Sequence, residues 1–405
     1  MQAHAASVGD LISACDLLVV GAGFFGLTVA ERAAAERGLR VLVIERRPHI
    51  GGNAWSETHR DTGIEIHRYG SHLFHCNDEP IWQYVNRFAS FTDYRHHVYA
   101  TAGGQVFTMP INLGTICSFF RRALTPDQAR KLLAQQAGEF GSRDPANLEE
   151  KAISLIGRPL YEAFIQGYTT KQWQTDPREL PAGIITRLPV RFDFNARYFS
   201  DRFEGLPRDG YAALFGQMTA NHCIEIVTGV DYASVRGLVP SKLPVVFTGP
   251  IDRYFHYCDG RLNWRSLEFE ELILDCRDHQ GCAVMNYSDA SVPYTRVHEF
   301  RHLHPERHYG NRTVVFREYS HAAGSDDEPF YPVGTPEDRQ RYHRYAARAA
   351  KEVNVFFGGR LGSYKYLDMH QAIGAALKLW QTQLAPLFAG RASVSGTEKQ
   401  QLLDA

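Results

Sequence analysis

The start of the chain alternates short apolar runs with a longer segment dense in alanine. The apolar run at 16–20 predicts a strand, residues 27–37 predict a helix, and the run at 40–45 predicts a second buried strand. A strand, a helix and a second strand in this order are typical of a parallel sheet. We therefore expect an α/β domain here, preceded by a loose tail over residues 1–14.

Helical spacing dominates the middle of the chain. Residues 113–172 predict several helices, with Thr125 and Asn147 as helix starts because both residue types cap helix N-termini. Three prolines and one glycine then interrupt residues 174–193, which predicts a loop.

Strand patterns return in the second half of the chain. Residues 225–248 contain short strand-like pieces, and residues 267–319 are rich in β-branched and aromatic residues, which predicts a mainly antiparallel sheet. Helices are predicted over 339–357 and 371–388, with a glycine-led loop between them and a polar tail after about residue 390.

The overall charge is close to balanced. Forty-four Lys and Arg residues against 45 Asp and Glu residues give a formal net charge of −1. This balance provides no broad field for nucleic acid or for an anionic membrane, so we expect neither as a partner. With 44% hydrophobic residues at this length, the chain can build a large core without disulfides or a structural metal.

The cysteines and the N-terminal region bear on the compartment. The seven cysteines are scattered and form no C-x-x-C pair, which is typical of free thiols in a reducing environment. Residues 1–15 contain no Lys or Arg, so the basic start of a signal peptide is missing, and no apolar run reaches membrane-span length. We expect a cytoplasmic protein.

A glycine-rich turn lies between the first predicted strand and the first helix. Gly21, Gly23 and Gly26 fit the pattern G-x-G-x-x-G. The first glycine permits a tight turn, the second lets the backbone approach a pyrophosphate, and the third allows close helix–strand packing. Glu45 ends the second strand about 20 residues later, where a carboxylate accepts ribose hydroxyls. The segment therefore predicts a dinucleotide-binding site.

The residues after Glu45 favour FAD over NAD as that dinucleotide. Gly51, Gly52 and Asn53 place two small residues shortly after the ribose acid, where the chain can pass close to a flavin diphosphate. Arg46 and Arg47 could suggest a 2′-phosphate, but Glu45 would repel it. We therefore expect the two arginines to be solvated or to stack on the adenine.

The chain resembles the bacterial UDP-galactopyranose mutases over most of residues 16–385. The resemblance rests on the joint order of several segments, each weak alone: VVGAGFFGLTVA, IERRPHIGGNAW, GIEIHRYGSHLFH, PINLGTI, GYTTKQW, VFTGPIDRYF, WRSLEFE, NYSDASVPYTRVHEF, EPFYPV and GRLGSYKYLDM. It implies UDP-galactopyranose and UDP-galactofuranose as the substrate pair and FAD, active in its reduced form, as the cofactor.

The implied reaction is a reversible, non-redox ring contraction that supplies galactofuranose for cell-surface glycans. The bond between C1 and UDP must break, the ring must open, and it must reclose through a different hydroxyl. In the family, N5 of the reduced flavin attacks C1 and the ring opens through an iminium intermediate, so the cofactor acts as a covalent catalyst.

The resemblance also implies an α/β fold of three domains. We expect a discontinuous, Rossmann-like FAD-binding domain (14–80, 205–265 and 325–390), an inserted helical domain with a substrate-site loop (110–185) and a twisted antiparallel sheet domain (81–109, 186–204 and 266–324). Tails are expected at 1–13 and 391–405.

The aromatic segment near the end of the helical domain is the implied uracil site. Tyr168 and Trp173 would hold the uracil, Trp173 by stacking, with Thr169 between them and Phe164 lining the same face. These aromatic residues could instead belong to the hydrophobic core, because positions 164 and 168 have the spacing of a buried helix face.

Two arginines match the diphosphate-binding residues of the family. Arg187 lies in the proline-rich loop, which is a mobile lid in the family, and Arg296 follows Tyr294 and Thr295. A guanidinium can pair two phosphate oxygens at once, and two of them would also stabilise the departing UDP, which makes both catalytic candidates. Arg191 is the alternative to Arg187.

Three tyrosines and one aspartate complete the implied substrate site. Tyr331 and Tyr366 match tyrosines that bind the diphosphate, and Tyr198 is a candidate for the same pocket. Asp368 matches an acid near the sugar and the flavin, although it could instead cap the helix that follows.

One histidine is implied to lie against the flavin. We favour His72 over His75 for this position and count His72 among the catalytic candidates. His96 and His97 lie where the family has polar residues beside the substrate, and the sequence leaves open which of the two, if either, faces it. The implied cofactor-binding residues are Gly21, Gly23, Phe25, Gly26, Glu45, Arg46, Gly52, Asn53, His72, Arg360, Asp368 and Met369.

A metal site is not expected. His67, His72 and His75, or His302 and His304, could be read as metal ligands, but no cysteine or carboxylate frame with metal-ligand spacing accompanies them, and the family implies no metal.

Two other functions remain open at this point. One is an FAD-dependent oxidoreductase related to the amine oxidases, and the other is a non-catalytic flavoprotein. Arg187, Arg296 and Trp173 distinguish the mutase, since an amine oxidase has no use for a diphosphate and uracil site. NAD(P)H or another reductant is expected to act transiently, and a homodimer or larger homo-oligomer is expected because relatives often form dimers.

Overall fold

The computed structural model describes residues 2–141, 143–185 and 190–389, with side chains from residue 8 onward. The strands, in chain order, are β1 (Leu17–Val20), β2 (Val41–Glu45), β3 (Ser56–Thr58), β4 (Glu65–His67), β5 (Phe74–Cys76), β6 (Val98–Ala102), β7 (Gln105–Met109), β8 (Phe203–Gly205), β9 (Ile224–Thr228), β10 (Val245–Phe247), β11 (Trp264–Leu274), β12 (Val284–Tyr287), β13 (Arg296–Glu299), β14 (Thr313–Ala322), β15 (Tyr331–Pro332) and β16 (Val355–Phe357).

The helices surround and connect these strands. In chain order they are α1 (Gln2–Ala14), α2 (Phe24–Arg37), α3 (Glu79–Val85), α4 (Leu113–Phe120), α5 (Pro126–Ala137), α6 (Leu148–Ile156), α7 (Arg158–Leu160), α8 (Gly167–Trp173), α9 (Gly210–Met218), α10 (Tyr232–Val235), α11 (Ile251–Tyr254), α12 (Pro336–Ala349), α13 (Gly359–Gly362), α14 (Met369–Leu379) and α15 (Ala385–Leu387). Among the described residues, no helix is long and apolar enough to cross a bilayer.

A five-stranded parallel sheet forms the Rossmann-like layer. Its order is β16-β10-β1-β2-β9, so β1 lies in the centre between β10 and β2. All four residues of β1 are buried, as a strand covered on both faces requires. The predicted strand–helix–strand unit is confirmed as β1, α2 and β2. Because the carboxyl ends of parallel strands share one edge, the turns after β1, β2 and β10 meet there.

A seven-stranded sheet forms the second layer, with the order β15-β11-β14-β13-β12-β6-β7. Its pairs are antiparallel except for β12 with β6, which run parallel, so the sheet is mixed. The longest pairing joins β11 to β14, from Arg265 opposite Ala322 to Leu274 opposite Thr313. Two further pairs, β3 with β4 and β5 with β8, lie outside these sheets.

The helices α4 to α8 have a hydrophobic core of their own. Leu133, Ile153 and Tyr161 are buried in it, and β7 contributes Phe107. The predicted helix starts are confirmed, since the Thr125 hydroxyl accepts from the N–H of Gln128 and the Asn147 amide oxygen accepts from that of Glu150. The exact domain boundaries stay a prediction.

Two segments differ from the predicted pattern. The expected loose tail at the start is wrong, because residues 2–14 form α1, whose Val8 and Ile12 are buried against the parallel sheet. The helix predicted over 339–357 is also too long. It ends at Ala349, Asn354 takes a left-handed conformation, and Val355–Phe357 pairs with β10 as the edge strand β16. The predicted tail at 391–405 lies outside the described residues.

Candidate active site

The glycine turn after β1 has the shape that the sequence predicts. Gly21 has φ +101°, and a Cβ there would lie 2.0 Å from Oγ1 of Thr248, the residue after β10. A Cβ on Gly26 would lie 2.0 Å from the carbonyl oxygen of Gly21. Only glycine fits these two positions, so the turn packs closely against β10 and α2 starts directly above it.

The Glu45 carboxylate ties this turn to the end of β2. One of its oxygens accepts from the N–H of Ala22 at 2.8 Å, and the other accepts from the N–H of Arg47 at 2.9 Å. A carboxylate has further lone pairs, so Glu45 can still accept hydroxyl groups from a ligand. The predicted ribose acid therefore also has a structural role.

An open groove of about 450 Å³ runs along this edge of the sheet. Many of the predicted cofactor residues line it: Gly21, Gly23, Phe25, Gly26, Glu45, Arg46, Gly52, Asn53, His72, Arg360 and Met369. Nothing lies within 4 Å of the Cβ position of Gly23, and no side chain caps the N-terminus of α2 at this residue. The N–H groups of the first turn are thus available to a phosphate.

The two arginines after Glu45 share one ion-pair partner, and the Arg46 side chain is still 44% exposed, so the expectation that they stack on the adenine stays a prediction. Nη2 of Arg46 lies 2.5 Å from one oxygen of Glu328, and Nη2 of Arg47 lies 2.8 Å from the other. Arg47 also donates to the Asn53 side chain at 2.8 Å and stacks on the Tyr69 ring. Glu328 therefore fixes both arginines at the wall of the groove.

His72 and His75 have different surroundings. His72 lines the groove, its Nδ1 lies 2.8 Å from the carbonyl oxygen of Gly70, and burial lowers its pKa to about 4. His75 instead stacks on Phe199 and its Nδ1 lies 2.7 Å from Oδ2 of Asp201. Of the two histidines weighed from the sequence, the structure brings His72 to the groove.

Arg360 and Asp368 lie at the far end of the groove. Arg360 donates to the carbonyl oxygens of Phe330 and Leu367 at 3.2 and 2.8 Å, and its guanidinium lies 4.8 Å from the Tyr366 ring centre. Asp368 occupies the N-cap position of α14, and its N–H donates to the Gln371 side chain at 2.9 Å. The capping alternative for Asp368 is therefore confirmed, although its neighbours Leu367 and Met369 line the groove.

Arg296 forms a second centre, on β13. Its Nε lies 3.2 Å from Oε1 of Glu318, the cross-strand neighbour on β14, and its Nη2 donates to the hydroxyl of Tyr168. Although burial opposes the charge, Glu318 and Tyr168 hold the pKa of Arg296 above its usual value. Among the described residues, Tyr168 is the one hydrogen-bond acceptor of a guanidinium with five donor hydrogens. Arg296 can therefore still bind an anion.

Glu318 connects Arg296 to the loop that carries His72. Its carboxylate is only 2% exposed; Oε1 accepts from Thr295 Oγ1 at 3.2 Å, and Oε2 lies 3.0 Å from His298 Nε2. Burial raises the pKa of this carboxyl, but Arg296 and His298 outweigh it and keep the group ionised. His298 must then donate through Nε2, so its Nδ1 accepts from the Ser71 hydroxyl at 2.8 Å.

Sequence reasoning missed Glu318 and His298. Arg296 and His298 are two residues apart and share one face of β13, which was the available signal. The register that places Glu318 opposite Arg296 is a tertiary feature.

The predicted tyrosines lie around the same cleft. The rings of Tyr331 and Tyr366 are 5.8 Å apart, and the charges of Arg296 and Arg360 both act on Tyr331. Tyr198 is 44% and Tyr366 47% exposed, so both phenol groups are accessible. These contacts connect Arg296 to the groove through Arg360.

The aromatic segment around α8 is divided between core and cleft. Phe164 is 4% exposed and packs edge-to-face on Phe107, which favours the core explanation over the predicted uracil contact. Thr169 is also buried, and Trp173 is half-buried at the edge of the helical core. Tyr168 alone of these predicted residues contacts Arg296.

Lys171 is a second residue that sequence reasoning missed. Its ammonium nitrogen lies 2.6 to 3.1 Å from four backbone carbonyl oxygens of one loop that share its three N–H donors: those of Tyr287, Asp289, Val292 and Tyr294. This loop joins β12 to β13 and leads directly into Arg296. Lys171 thus holds α8, with Tyr168, against the strand that carries Arg296.

His96 and His97 differ in burial. His96 is 3% exposed, its Nδ1 lies 3.0 Å from the Tyr94 hydroxyl, and its ring packs edge-on against Tyr198. The His97 side chain bonds the carbonyl oxygen of Arg95. His96 therefore points towards the side of Tyr198.

Only one of the two candidate arginines of the proline-rich loop lies among the described residues. Arg187 lies outside the described residues. Arg191, the alternative to Arg187, donates to the carbonyl oxygens of Asn195 and Arg197 and so stabilises its own loop.

The argument against metal ligands was wrong in one respect. The fold brings carboxylates to two of these histidines: Asp368 lies near His75, and Asp278 lies near His302 together with Glu299 from the preceding turn.

Comparison with known proteins decides the family. A family model described as UDP-galactopyranose mutase matches residues 163–366, and one described as an NAD(P)-binding Rossmann-like domain matches residues 19–88. A probable UDP-galactopyranose mutase of Klebsiella pneumoniae is 42% identical over 90% of this chain and 93% of its own length.

The chain belongs to the UDP-galactopyranose mutase family. It is therefore an enzyme of the isomerase class. A dTDP-fucopyranose mutase of Escherichia coli is 40% identical over 90% of this chain and 97% of its own. The crystal structure of a reduced UDP-galactopyranose mutase superposes with a TM-score of 0.72 over 92% of this chain and 96% of the other, at 13% identity, which confirms the predicted fold class.

Replacing Lys171 by methionine removes the ammonium group while keeping most of the side-chain volume. Four carbonyl oxygens then lose their donor, so we expect the free energy of unfolding to fall by about 1.5–3 kcal/mol, as for hydrogen bonds to charged groups. Urea unfolding measures this change, and Lys131→Met on the exposed face of α5 is the matched control. Equal stability of both variants would contradict the docking role of Lys171.

The fold should lose stability as the pH falls below about 6.5, the usual pKa of histidine. Burial, with the charges of nearby histidines, holds the pKa of His67 well below that value, while its Nδ1 accepts from the N–H of His72. Below pH 6.5 the unfolded chain therefore binds a proton at His67 that the folded chain does not bind. The free energy of unfolding consequently falls as the pH is lowered.

Chemical denaturation from pH 7 to pH 5 measures this slope. His67→Phe should reduce it by an amount that grows on acidification and approaches one proton, or about 1.4 kcal/mol per pH unit, near pH 5. His308→Gln, at an exposed position, serves as the control for removing a histidine; an unchanged slope in His67→Phe would refute the assignment.

Proposed function

We propose that this enzyme interconverts UDP-galactopyranose and UDP-galactofuranose without net oxidation or reduction, using reduced FAD. The observation that carries the proposal is Arg296: a guanidinium beside a buried counter-charge, with donors still free, close to a dinucleotide groove. The name of the Klebsiella pneumoniae relative supports the choice of substrate.

The groove fits FAD on steric and chemical grounds. Gly21, Gly23 and Gly26 leave room for the diphosphate at the N-terminus of α2, and Glu45 keeps lone pairs for the ribose hydroxyls. The carbonyl oxygen of Gly70 holds a proton on Nδ1 of the neutral His72, which leaves its Nε2 as an acceptor at the other end. Reduced FAD bound there would supply a nucleophilic ring nitrogen for the anomeric carbon.

The cleft around Arg296 supplies the substrate contacts in this proposal. Arg296 binds the diphosphate and stabilises the charge on UDP after the C1–oxygen bond breaks, a task that Glu318 supports by keeping the guanidinium in place. Tyr331, Tyr366 and Tyr198 donate hydroxyl hydrogen bonds to the same phosphates. Tyr168 and Trp173 hold the uracil, Trp173 by stacking, and Arg187 binds the diphosphate.

Four further properties belong to the same proposal. The product feeds galactofuranose into cell-surface glycans, a nicotinamide nucleotide acts as a transient reductant, and the enzyme works in the cytoplasm as a dimer or larger homo-oligomer. All seven cysteines are free, which is consistent with a reducing compartment.

Loss of the Arg296 guanidinium should abolish most turnover without releasing the flavin. We expect Arg296→Ala to lower kcat/KM by about 10²–10³-fold, as for other groups that stabilise developing charge, and Arg187→Ala to act in the same direction. Arg317→Ala is the matched control, because Arg317 is adjacent to Glu318 on β14 but pairs with Glu270 at the surface.

Chromatography of UDP-galactofuranose incubated with reduced enzyme follows the product, and flavin absorbance reports cofactor content. Near-wild-type turnover in Arg296→Ala would contradict the diphosphate assignment. A dTDP-fucofuranose sample serves as the comparison substrate, and turnover of that sugar alone would contradict the proposed substrate.

The redox state of the flavin should switch activity on and off. Dithionite or NADPH should activate the enzyme, and the fully oxidised enzyme should be inactive, because oxidised flavin lacks the electron-rich ring nitrogen. Anaerobic assays at defined flavin reduction test this dependence. Equal turnover by oxidised and reduced enzyme would exclude the nucleophilic role.

A further inference from the structure

A cluster of two histidines and one aspartate lies where β5 meets the start of α14. His75 is on β5, Asp368 is the N-cap of α14, and His370 is in its first turn. One ligand atom from each lies within 4.8 Å of the other two, and the rings of His75 and His370 are 5.3 Å apart. The residues are far apart in sequence, so the fold assembles this set.

The nitrogen atoms of this cluster are available for a ligand. Nδ1 of His75 is engaged by Asp201 at 2.7 Å, which leaves Nε2 of the same ring without a hydrogen-bond partner among the described residues. Nδ1 of His370 is buried and also lacks such a partner within the described chain. A buried ring nitrogen without a partner is costly in an apo protein, and a cation would satisfy it.

Asp201 is placed as a supporting carboxylate. It engages the ring nitrogen of His75 opposite the free one, and the Asn77 amide donates to its other oxygen. A carboxylate behind a histidine is the usual arrangement that sets the tautomer and orientation of a metal-binding imidazole. Here that arrangement leaves Nε2 of His75 as the coordinating atom.

A second cluster, formed by Asp278, Glu299 and His302, differs from the first because its side chains are already paired with one another. The Glu299 oxygens already accept from the N–H groups of His279 and Gln280 and from the Thr313 hydroxyl. Nε2 of His302 lies between the two carboxylates, at 3.2 Å from Asp278 and 3.5 Å from Glu299. This is a closed ion-pair network in which every group has a partner.

We propose that His75, Asp368 and His370 bind one divalent transition-metal cation, with Asp201 as the outer carboxylate. Two imidazoles and one carboxylate suit Zn²⁺, Co²⁺ or Ni²⁺ better than Mg²⁺ or Ca²⁺. In a tetrahedral site neighbouring ligand atoms lie about 3.3 Å apart. Side-chain rotations that move each ligand atom by about 1 Å therefore bring the three atoms to coordination distance around one ion. Water completes the coordination, and the site lies beside Met369 at the rim of the cofactor groove.

Titration of the flavin-loaded, metal-free enzyme with CoCl₂ tests the proposal. We expect one bound Co²⁺ per chain with visible ligand-field bands. His370→Asn and His75→Gln should each weaken Co²⁺ binding by at least about tenfold, and Asp201→Asn should weaken it by about 10–100-fold through the orientation of His75. Far-ultraviolet circular dichroism and flavin content verify that each variant is folded.

His302→Asn is the matched control, because it removes one histidine from the closed cluster. Its Co²⁺ affinity should equal that of the wild type. The proposal is overturned if the wild type binds no Co²⁺, if the folded His370→Asn or His75→Gln variant keeps wild-type affinity, or if His302→Asn loses it. A thiolate-to-cobalt charge-transfer band would also overturn it, since that band assigns the ion to a cysteine. None of these outcomes depends on sugar isomerisation.

Discussion

The buried carboxylate of Glu318 is the constraint on which the candidate site depends. It balances Arg296 across one cross-strand pair and orients His298, which in turn holds Ser71 in the loop that carries His72. A buried guanidinium without a counter-charge would be strongly destabilising, and a buried carboxylate without donors equally so. The pair therefore keeps a cation at the cleft while some of its donors stay free for an anionic ligand.

This network also relates the two halves of the site. The seven-stranded sheet supplies Arg296 and Glu318, the edge of the parallel sheet supplies the groove, and Arg360 with Tyr331 and Tyr366 lies between them. Lys171 adds the helical segment by binding four carbonyl oxygens of the loop before β13. A mutase of this family benefits from such a fixed arrangement, because binding groups that are held in place keep a substrate oriented.

The histidines show how far a sequence argument extends. His75 and His302 each meet a carboxylate from a distant segment in the fold, Asp368 for His75 and Asp278 for His302. His72 and His75 are only three residues apart in the sequence, but one lines the groove and the other pairs with Asp201. Such differences depend on which segment of the fold packs against each histidine, and the neighbouring residues in the sequence do not specify that segment.

The sequence by itself determined the local structural motifs of this protein. The glycine turn, Glu45 and the helix caps Thr125 and Asn147 follow from steric and hydrogen-bonding rules that act over a few residues, and the family resemblance added Arg296 and its tyrosines. Only the tertiary structure decided the partners of these groups: Glu318 for Arg296, Glu328 for Arg46 and Arg47, the carbonyl loop for Lys171, and the core for Phe164. The helix α1 and the edge strand β16 were likewise decided by burial against the parallel sheet. The physical reason is that a buried charge, polar group or ring takes its partner from whichever segment the fold packs against it, and sequence periodicity carries no record of that segment.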